Sequence, residues 1–293
     1  MSKFFKAMQE AARESGGVPP LPLPDVALAR PIAPPPAPAP PAEDAAVERP
    51  TYRRVVPRPS SSKTLPPLEG AYLRAADQYR IIRTKIVQHP AQPRLLSIAS
   101  AGIGDGKTLS AINIAGALAM KAGASVLLVD ADFRRPRVAE SLGIDPTPGL
   151  ADVLRGEAFA EEAIVQLEAQ SNLFVLPAGD APPNPTELLD STQWGVLARS
   201  LRERFDYVVV DAPPVGLVAD YDLIQAAVDG AILVVRVDHS SLAQCLRAYK
   251  AVPKPKLLGI VMNAVPDWFL TRSSSHDYGY YRRGGNGGGG HGQ

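Results

Sequence analysis

The chain carries, directly after a run of apolar residues, the stretch Ala101-Gly102-Ile103-Gly104-Asp105-Gly106-Lys107-Thr108. Glycines permit the tight backbone that brings N–H groups around a phosphate, while a lysine reaches the outer phosphates and a threonine can bind Mg²⁺. The stretch therefore predicts a phosphate-binding loop (P-loop) between a strand and a helix. Ala101 departs from the usual pattern G-x-x-x-x-G-K-[ST], whose first position is glycine. A chance glycine turn is the alternative.

Short apolar runs of strand length alternate with helical stretches on both sides of this loop. The predicted strands are residues 95–99, 126–129, 173–176, 207–210, 231–237 and 257–262. The predicted helices are residues 108–122, 149–154, 185–204, 217–227 and 240–252. This alternation is typical of βαβ units, and it predicts an α/β fold with a doubly wound, mostly parallel sheet and helices on both faces.

Three aspartates follow predicted buried strands. In an open parallel sheet the ligand binds at the carboxyl ends of the strands, where Asp130, Asp132 and Asp211 all lie. Asp130 and Asp132 are two residues apart, so we expect both side chains to leave on the same side and point into the phosphate cleft. Like charges near a phosphate are costly without a cation, so these carboxylates indicate Mg²⁺. The alternative is that they cap helices or end strands.

Two further features are candidates for contact with a nucleotide. Asn263 follows the last predicted strand and could bind an adenine edge, although an asparagine at a strand end more often forms a turn. Arg134, Arg135 and Arg137 form a local basic cluster that could contact anions. The predicted nucleotide contacts are Gly102, Ile103, Gly104, Asp105, Gly106, Lys107, Thr108, Leu109 and Asn263.

Proline is concentrated near the N-terminus, where 16 of the 30 prolines lie between Pro19 and Pro67. Residues 17–67 are therefore predicted to be a disordered linker that forms neither helix nor sheet. Residues 1–16 place Phe4, Met8 and Ala12 at helical spacing, which indicates a short amphipathic helix, with a flexible terminus as the alternative. The folded domain is expected over residues 68–265.

Residues 266–293 lose periodicity and end in a glycine-rich segment, which predicts a flexible tail. Tyr278, Tyr280 and Tyr281 lie in this polar tail, and they are candidate phosphate acceptors. Transfer of a phosphoryl group to a phenol requires a carboxylate to accept the proton, and Asp130 is a candidate for that role. The alternative is a passive tail whose tyrosines have no function.

Composition excludes several classes of protein. A net charge of +1 argues against a nucleic acid as partner, and the single Cys245 excludes an intrachain disulfide framework. The four histidines lack the spacing of metal ligands. No apolar run approaches the roughly 20 residues of a membrane helix, so we expect a cytoplasmic chain that another protein or an amphipathic segment would have to bring to a membrane.

Residues 69–88 show an apolar stripe typical of a packed helix. Asp77, Arg80 and Arg83 are spaced three apart on a neighbouring face, which could contact another subunit. The alternative is a solvated charged face.

Taken in order, these motifs resemble the bacterial tyrosine kinases of capsule and exopolysaccharide systems, the BY-kinases. That family is built on a P-loop ATPase fold related to the partitioning ATPases. The resemblance extends from about residue 70 to residue 263 and includes the tyrosines of the tail. It rests on DQYRIIRT at 77–84, GDGKT at 104–108, VDADFRRP at 129–136, PPNPTELL at 182–189 and FDYVVVDAPP at 205–214.

The resemblance implies a role for each candidate residue. Lys107 would hold phosphates, Thr108 and Asp132 would serve Mg²⁺ directly or through water, and Asp211 would be the Walker-B carboxylate. Asp130 would activate the acceptor phenol. ATP and Mg²⁺ are therefore the expected cofactors.

The resemblance also implies an assembly. Arg80 and Arg83 are similar to the E-x-x-R-x-x-R subunit contact of the family, which implies a homo-oligomer, a ring or dimer, with phosphorylation between subunits. Three positions depart from the family: Ile103 replaces a frequent proline, Asp77 replaces glutamate, and the tail has only three tyrosines. A separate transmembrane polysaccharide chain-length regulator would be the activating partner.

The function expected from these observations is an ATP- and Mg²⁺-dependent protein-tyrosine autokinase that regulates polysaccharide synthesis or export. Two alternatives remain open. One is a non-kinase ATPase switch whose nucleotide state controls assembly, and the other is a weakly catalytic scaffold that gathers polysaccharide-synthesis proteins.

Overall fold

The structure, a computed structural model, describes residues 51–59 and 73–265. Its strands are β1 (Arg53–Val55), β2 (Leu95–Ser100), β3 (Val126–Asp130), β4 (Val165–Leu167), β5 (Leu173–Leu176), β6 (Tyr207–Asp211), β7 (Gly230–Arg236) and β8 (Leu257–Asn263). Its α-helices are α1 (Leu73–Val87), α2 (Lys107–Ala119), α3 (Val138–Leu142), α4 (Leu150–Arg155), α5 (Ala160–Ala163), α6 (Pro185–Asp190), α7 (Thr192–Arg204), α8 (Asp220–Ala227) and α9 (Leu242–Ala251).

The strands form an eight-stranded sheet in the order β1-β4-β5-β3-β6-β2-β7-β8. Each neighbouring pair is parallel except β4 and β5, which are antiparallel. The central strands β2 and β3 are buried along their whole length, and their nearly continuous apolar runs are typical of strands covered on both faces. The predicted α/β class with a mostly parallel sheet is confirmed.

Helices cover both faces of this sheet. On one face α1, α2 and α3 pack through Ile86, Ile112 and Leu142. The other face is covered by α4 to α9, which contribute buried side chains such as Trp194 and Tyr221. The carboxyl ends of β2, β3 and β6 consequently emerge between two helical layers, at one edge of the sheet.

The connection from β2 to α2 positions the candidate site. Gly106 has a φ of 90°, a left-handed conformation that glycine adopts without strain, and α2 begins at the next residue, Lys107. From Ser110 to Ala119 this helix is buried, so it is held firmly against the sheet. The P-loop therefore lies between two rigid elements.

The six strands predicted from apolar runs are all found, with ends within one residue of the prediction. The prediction of one helix over residues 185–204 is wrong, because Ser191 has an extended backbone (ψ 152°) and separates α6 from α7. The short elements β4, α3 and α5 were not predicted, since three to five residues do not establish a period.

Part of the predicted linker is ordered, which corrects the expectation for residues 17–67. Strand β1 pairs in parallel with β4, and the neighbouring Tyr52 packs against Phe174 and Phe205 at ring-centroid distances of 5.0 and 6.1 Å. Residues 51–56 lack proline and contain one aromatic and two β-branched valines, so they can pair at a sheet edge although prolines surround them.

Helix α1 lies within the stretch predicted as helical, and its apolar stripe faces the sheet. Ala76 and Ile86 are buried, and Tyr79 and Ile82 pack against the same apolar cluster. Among the described helices, none combines the length and apolarity that crossing a bilayer requires. The predicted helix at residues 1–16, most of the predicted linker and the tail at 266–293 lie outside the described residues.

We predict that Tyr52→Ala lowers the free energy of unfolding by about 1–3 kcal/mol, because it removes a ring packed on two other aromatic rings. Urea denaturation measures this change. Val56→Ala is the matched control, because the Val56 side chain is 57% exposed and its loss should cost less than about 0.5 kcal/mol. Equal stability of wild type and Tyr52→Ala would contradict the contribution of this ring packing to the fold.

Candidate functional site

A cleft of about 540 Å³ opens at the carboxyl ends of β2, β3 and β6. One wall is the P-loop, and the other consists of the segments that follow β3 and β6. The lining residues are Gly102, Ile103, Gly104, Gly106, Lys107, Thr108, Leu109, Asp132, Arg134, Arg135, Arg137, Ser141, Pro213, Pro214, Leu217 and Val218. Seven of the nine predicted nucleotide contacts therefore line the cleft, and the two that do not are Asp105 and Asn263.

The P-loop closes on itself through hydrogen bonds. The Asp105 carboxylate is buried and accepts a bond from the Gly102 N–H at 2.8 Å, while the Ser100 hydroxyl donates to the Gly102 carbonyl oxygen at 2.7 Å. Gly104 and Gly106 have φ values of 85° and 90°, which turn the chain sharply before α2. The N-terminus of α2 thus faces the cleft, as expected for an anion site.

Lys107 joins the P-loop to two strand ends. Its Nζ lies 2.8 Å from Asp132 Oδ2 and 3.1 Å from Asp211 Oδ1, and the two carboxylates are buried. Burial lowers the pKa of the Lys107 ammonium, but attraction from Asp211 and Asp132 outweighs it and raises the pKa above its ordinary value. Lys107 is therefore a stable cation at the centre of the cleft.

Thr108 and Asp211 form the second pair at this point. The Thr108 hydroxyl donates to Asp211 Oδ2 at 2.6 Å. Burial raises the pKa of Asp211, and the bonds from Lys107 and Thr108 oppose that rise. The predicted convergence of the P-loop with the ends of β3 and β6 is present in the structure.

Asp130 and Asp132 have different environments, which corrects the expectation that both point into the cleft. Strand β3 ends at Asp130, so the alternation of a strand does not extend to Asp132. Asp132 lines the cleft, whereas Asp130 Oδ2 accepts bonds from the N–H groups of Arg137 and Val138, each at 3.0 Å. Burial and repulsion from Asp211 raise the pKa of Asp130 to about 7. Its role as a base stays a prediction.

Asn263 contacts the P-loop from outside the cleft. Its amide nitrogen donates to the Asp105 carbonyl oxygen at 2.8 Å, and its Oδ1 accepts from the Ala264 N–H at 2.9 Å. The second bond agrees with the alternative that Asn263 forms a turn. The adenine contact stays a prediction.

The basic cluster after β3 lies at the cleft, where Arg134, Arg135 and Arg137 all line the wall. Arg134 is held in place because its Nε donates to Asp220 Oδ2 at 2.7 Å. Sequence reasoning missed Asp220, and it also missed Arg236, His239 and Ser240, which contact the P-loop. No sequence signal identifies these residues, because they approach the site only through the order of the strands.

The predicted subunit contact lies on α1. Arg80 pairs with Asp77 at 2.5 Å on the exposed surface, and Arg83 donates to the Ala117 carbonyl oxygen of α2 at 3.5 Å. Tyr278, Tyr280 and Tyr281 fall outside the described residues.

The oxygen atoms at the centre of the cleft fit a nucleotide-bound Mg²⁺. Within residues 51–59 and 73–265 there is no group of three or more acidic, histidine or cysteine side chains that could hold a metal by itself. Mg²⁺ in nucleotide sites needs only one or two protein ligands, since phosphates and water supply the rest. Thr108, Asp132 and Asp211 gather around a cation already, the Lys107 ammonium, so their donors suit this role.

Comparison with known proteins gives matches over the same region. A family model described as an AAA domain matches residues 94–252. Tyrosine-protein kinase YwqD of Bacillus subtilis strain 168 is 37% identical over 211 residues, which are 70% of this chain and 86% of that protein. The chimerical protein CapA2B2 superimposes with a TM-score of 0.65 at 27% identity, covering 74% of this chain and 95% of that one. The BceF tyrosine kinase domain gives 0.62 at 29% identity, with coverages of 72% and 92%.

We predict that Lys107→Met lowers the free energy of unfolding by about 3 kcal/mol at pH 8, because two buried carboxylates lose their cation. The loss should shrink towards pH 5. Without the cation, the attraction that opposes the burial-driven rise in the pKa of Asp211 is lost, so protonation of that acid favours the folded state and stability falls as pH increases. Urea denaturation at both pH values tests this.

The matched control for this measurement is Lys250→Met, which removes an exposed lysine on α9. Its stability should equal that of the wild type within about 0.5 kcal/mol at both pH values. A Lys107→Met protein that is as stable as the control at pH 8 would contradict the role of Lys107 as the cation of this cluster.

Proposed function

This chain belongs to the family of bacterial tyrosine-protein kinases, and from that premise we propose that it is an ATP- and Mg²⁺-dependent autokinase that phosphorylates tyrosines of its own C-terminal tail. One observation carries the proposal. Lys107, Thr108, Asp132 and Asp211 come from three separate parts of the chain and meet at the end of a glycine-rich loop. Such a cluster suits the β and γ phosphates of a nucleoside triphosphate.

The cleft contains what a triphosphate requires. Backbone N–H groups of the P-loop and the N-terminus of α2 supply neutral donors, and Lys107 with the arginines after β3 supplies positive charge. Thr108, Asp132 and Asp211 would hold Mg²⁺. When bound with ATP, the metal neutralises charge that develops on the phosphate oxygens during transfer.

The chemical step transfers the γ-phosphoryl group to a phenol. The phenolic oxygen forms a bond to the γ-phosphorus, the bond from that phosphorus to the β–γ bridging oxygen breaks, and ADP leaves with the electron pair. The phenolic proton moves to a carboxylate. We assign this role to Asp130, whose pKa of about 7 leaves it partly ionised near neutral pH, and its carboxylate would exchange the bonds from the Arg137 and Val138 N–H groups for one from the phenol.

The acceptors we propose are Tyr278, Tyr280 and Tyr281. Tyr278 lies fifteen positions after Asn263, and such a segment spans at most about 50 Å when extended. The tail is therefore long enough to reach either its own cleft or that of a neighbouring subunit.

The proposed assembly is a homo-oligomer in which Asp77, Arg80 and Arg83 contact the next subunit. Asp77 and Arg80 are exposed on one side of α1, which supports an interface there. A separate transmembrane partner would bring the chain to the inner face of the cell membrane. The proposed role is the regulation of exopolysaccharide or capsule synthesis or export, and it rests on the resemblance of the motifs.

Incubation of the purified chain with Mg²⁺ and ATP, followed by mapping of phosphotyrosine, tests the activity. We expect label on Tyr278, Tyr280 or Tyr281, and we expect Lys107→Met to lose it. Tyr249→Phe is the control, because it removes an exposed tyrosine of α9 and should leave the label unchanged. Release of phosphate without any label would favour the ATPase switch. If there is no phosphate release and no label, the scaffold is favoured.

The rate of autophosphorylation should rise with pH through about 7, because Asp130 accepts a proton only when ionised and its pKa lies near that value. Initial rates at saturating ATP between pH 5.5 and 8.5 measure this profile. Asp130→Asn should reduce the rate by roughly 100-fold or more and abolish the rise. A flat wild-type profile over this range would exclude Asp130 as the base.

A further inference from the structure

The P-loop has an outer side that faces away from the cleft, and three of its glycines meet side chains there. A Cβ atom added to Gly102 would lie 3.0 Å from Ser240 Oγ, and one added to Gly104 would lie 3.2 Å from His239 Nε2. At Gly106 the added atom would lie 2.0 Å from the amide nitrogen of Asn263. Side chains that follow β7 and end β8 therefore stand directly against the P-loop backbone.

Three side chains from the ends of β7 and β8 and the segment after β7 donate to three consecutive carbonyl groups of the P-loop. His239 Nε2 lies 2.9 Å from the Ile103 oxygen, a contact in which the ring nitrogen carries the proton. Arg236 donates to the Gly104 oxygen at 3.4 Å, and Asn263 donates to the Asp105 oxygen at 2.8 Å.

Ser240 adds a bond to a buried charge. Its hydroxyl donates to Asp105 Oδ1 at 2.6 Å, while Asp105 Oδ2 accepts from the Gly102 N–H. The Asp105 carboxylate is 1% exposed, so these donors replace the water that it has lost. Through Asp105, Ser240 fixes the first turn of the P-loop.

The consequence follows from the geometry of the peptide group. The N–H and C=O bonds of a trans peptide group point in opposite directions. When the carbonyl of one residue is held on the outer side, the N–H of the next residue therefore points towards the cleft. Donors on the outer side therefore pre-organise the N–H groups that contact phosphate. A loop held in this way needs less ordering when a nucleotide binds.

We propose that Arg236, His239, Ser240 and Asn263 form an outer clamp that holds the P-loop in its phosphate-binding conformation. These four are positioning residues, because they act on the nucleotide through the backbone of residues 102–106. The clamp belongs to the nucleotide site of the proposed function and does not depend on which tyrosine accepts the phosphate. The clamp also explains why position 102 is glycine although its φ is not in the left-handed range: a Cβ atom there would press against Ser240.

Substitution of Ser240 tests the clamp, with binding of a fluorescent ADP analogue in Mg²⁺ buffer as the readout. Ser240→Ala should raise the dissociation constant about tenfold, as expected for loss of a hydrogen bond to a charged group. Ser240→Thr keeps the hydroxyl and should restore most of the affinity. In the kinase assay Ser240→Ala should raise KM for ATP similarly and change kcat less than about twofold.

Ser241→Ala is the matched control, because it makes the same chemical change one residue away. The Ser241 hydroxyl accepts from the Gln244 N–H and caps α9 without contact with the P-loop. This variant should lower the thermal midpoint and leave the dissociation constant unchanged. Thermal unfolding of every variant separates loss of affinity from loss of fold.

A double-mutant cycle tests the steric part of the clamp. Gly102→Ala should weaken ADP binding in the wild-type background, where the new methyl group meets Ser240 Oγ. In the Ser240→Ala background the same change should cost at least about threefold less, since the obstructing atom is gone. Strict additivity of the two effects would contradict the contact.

The outcomes distinguish the clamp from the proposed function. Equal dissociation constants for wild type and Ser240→Ala would overturn the clamp alone, as would equal losses for Ser240→Ala and Ser241→Ala. A wild-type chain that binds no ADP would overturn both proposals. Nucleotide binding with the expected variant effects, but without phosphotyrosine, would support the clamp and overturn only the kinase.

Discussion

The contact of the Lys107 ammonium with two buried carboxylates is the interaction on which the candidate site depends. Lys107 begins α2, Asp132 follows β3 and Asp211 ends β6, so one cation joins three parts of the sheet edge. Two carboxylates this close repel each other in a low dielectric, and the ammonium removes that cost. A bound phosphate group adds negative charge to this cleft. A metal ion that binds together with the phosphate would offset that charge, as the ammonium offsets the charge of the carboxylates.

The P-loop is constrained on both of its sides. On the cleft side it leads into α2, whose buried helix cannot shift without disturbing the core. On the outer side it meets donors from the ends of β7 and β8, which occupy the far edge of the sheet. Through the proposed clamp, the positions of β7 and β8 therefore determine the position of the P-loop backbone that binds phosphate. It gives a reason for the glycines beyond the conformational freedom that a tight turn requires.

Most of the fold was predictable because its signals are local. Apolar runs identified the central strands, and GDGKT identified the turn into α2. The errors occurred where a local pattern was weak or misleading. Prolines around residues 51–56 concealed β1, and a continuous helical pattern concealed the break at Ser191. Asp130 and Asp132 were expected to share a direction, but the strand ended between them, and Asp130 instead accepts backbone N–H groups.

The sequence by itself determined the fold class and the composition of the cleft centre, because apolar periodicity and a short motif act within a few residues of one another. It did not determine which side chains surround that centre. His239, Ser240 and Asn263 lie more than 130 residues from the P-loop contacts that they make. Only the order of the strands, which places β7 beside β2 and β8 beside β7, brings them there, since that order is set by packing of the whole sheet.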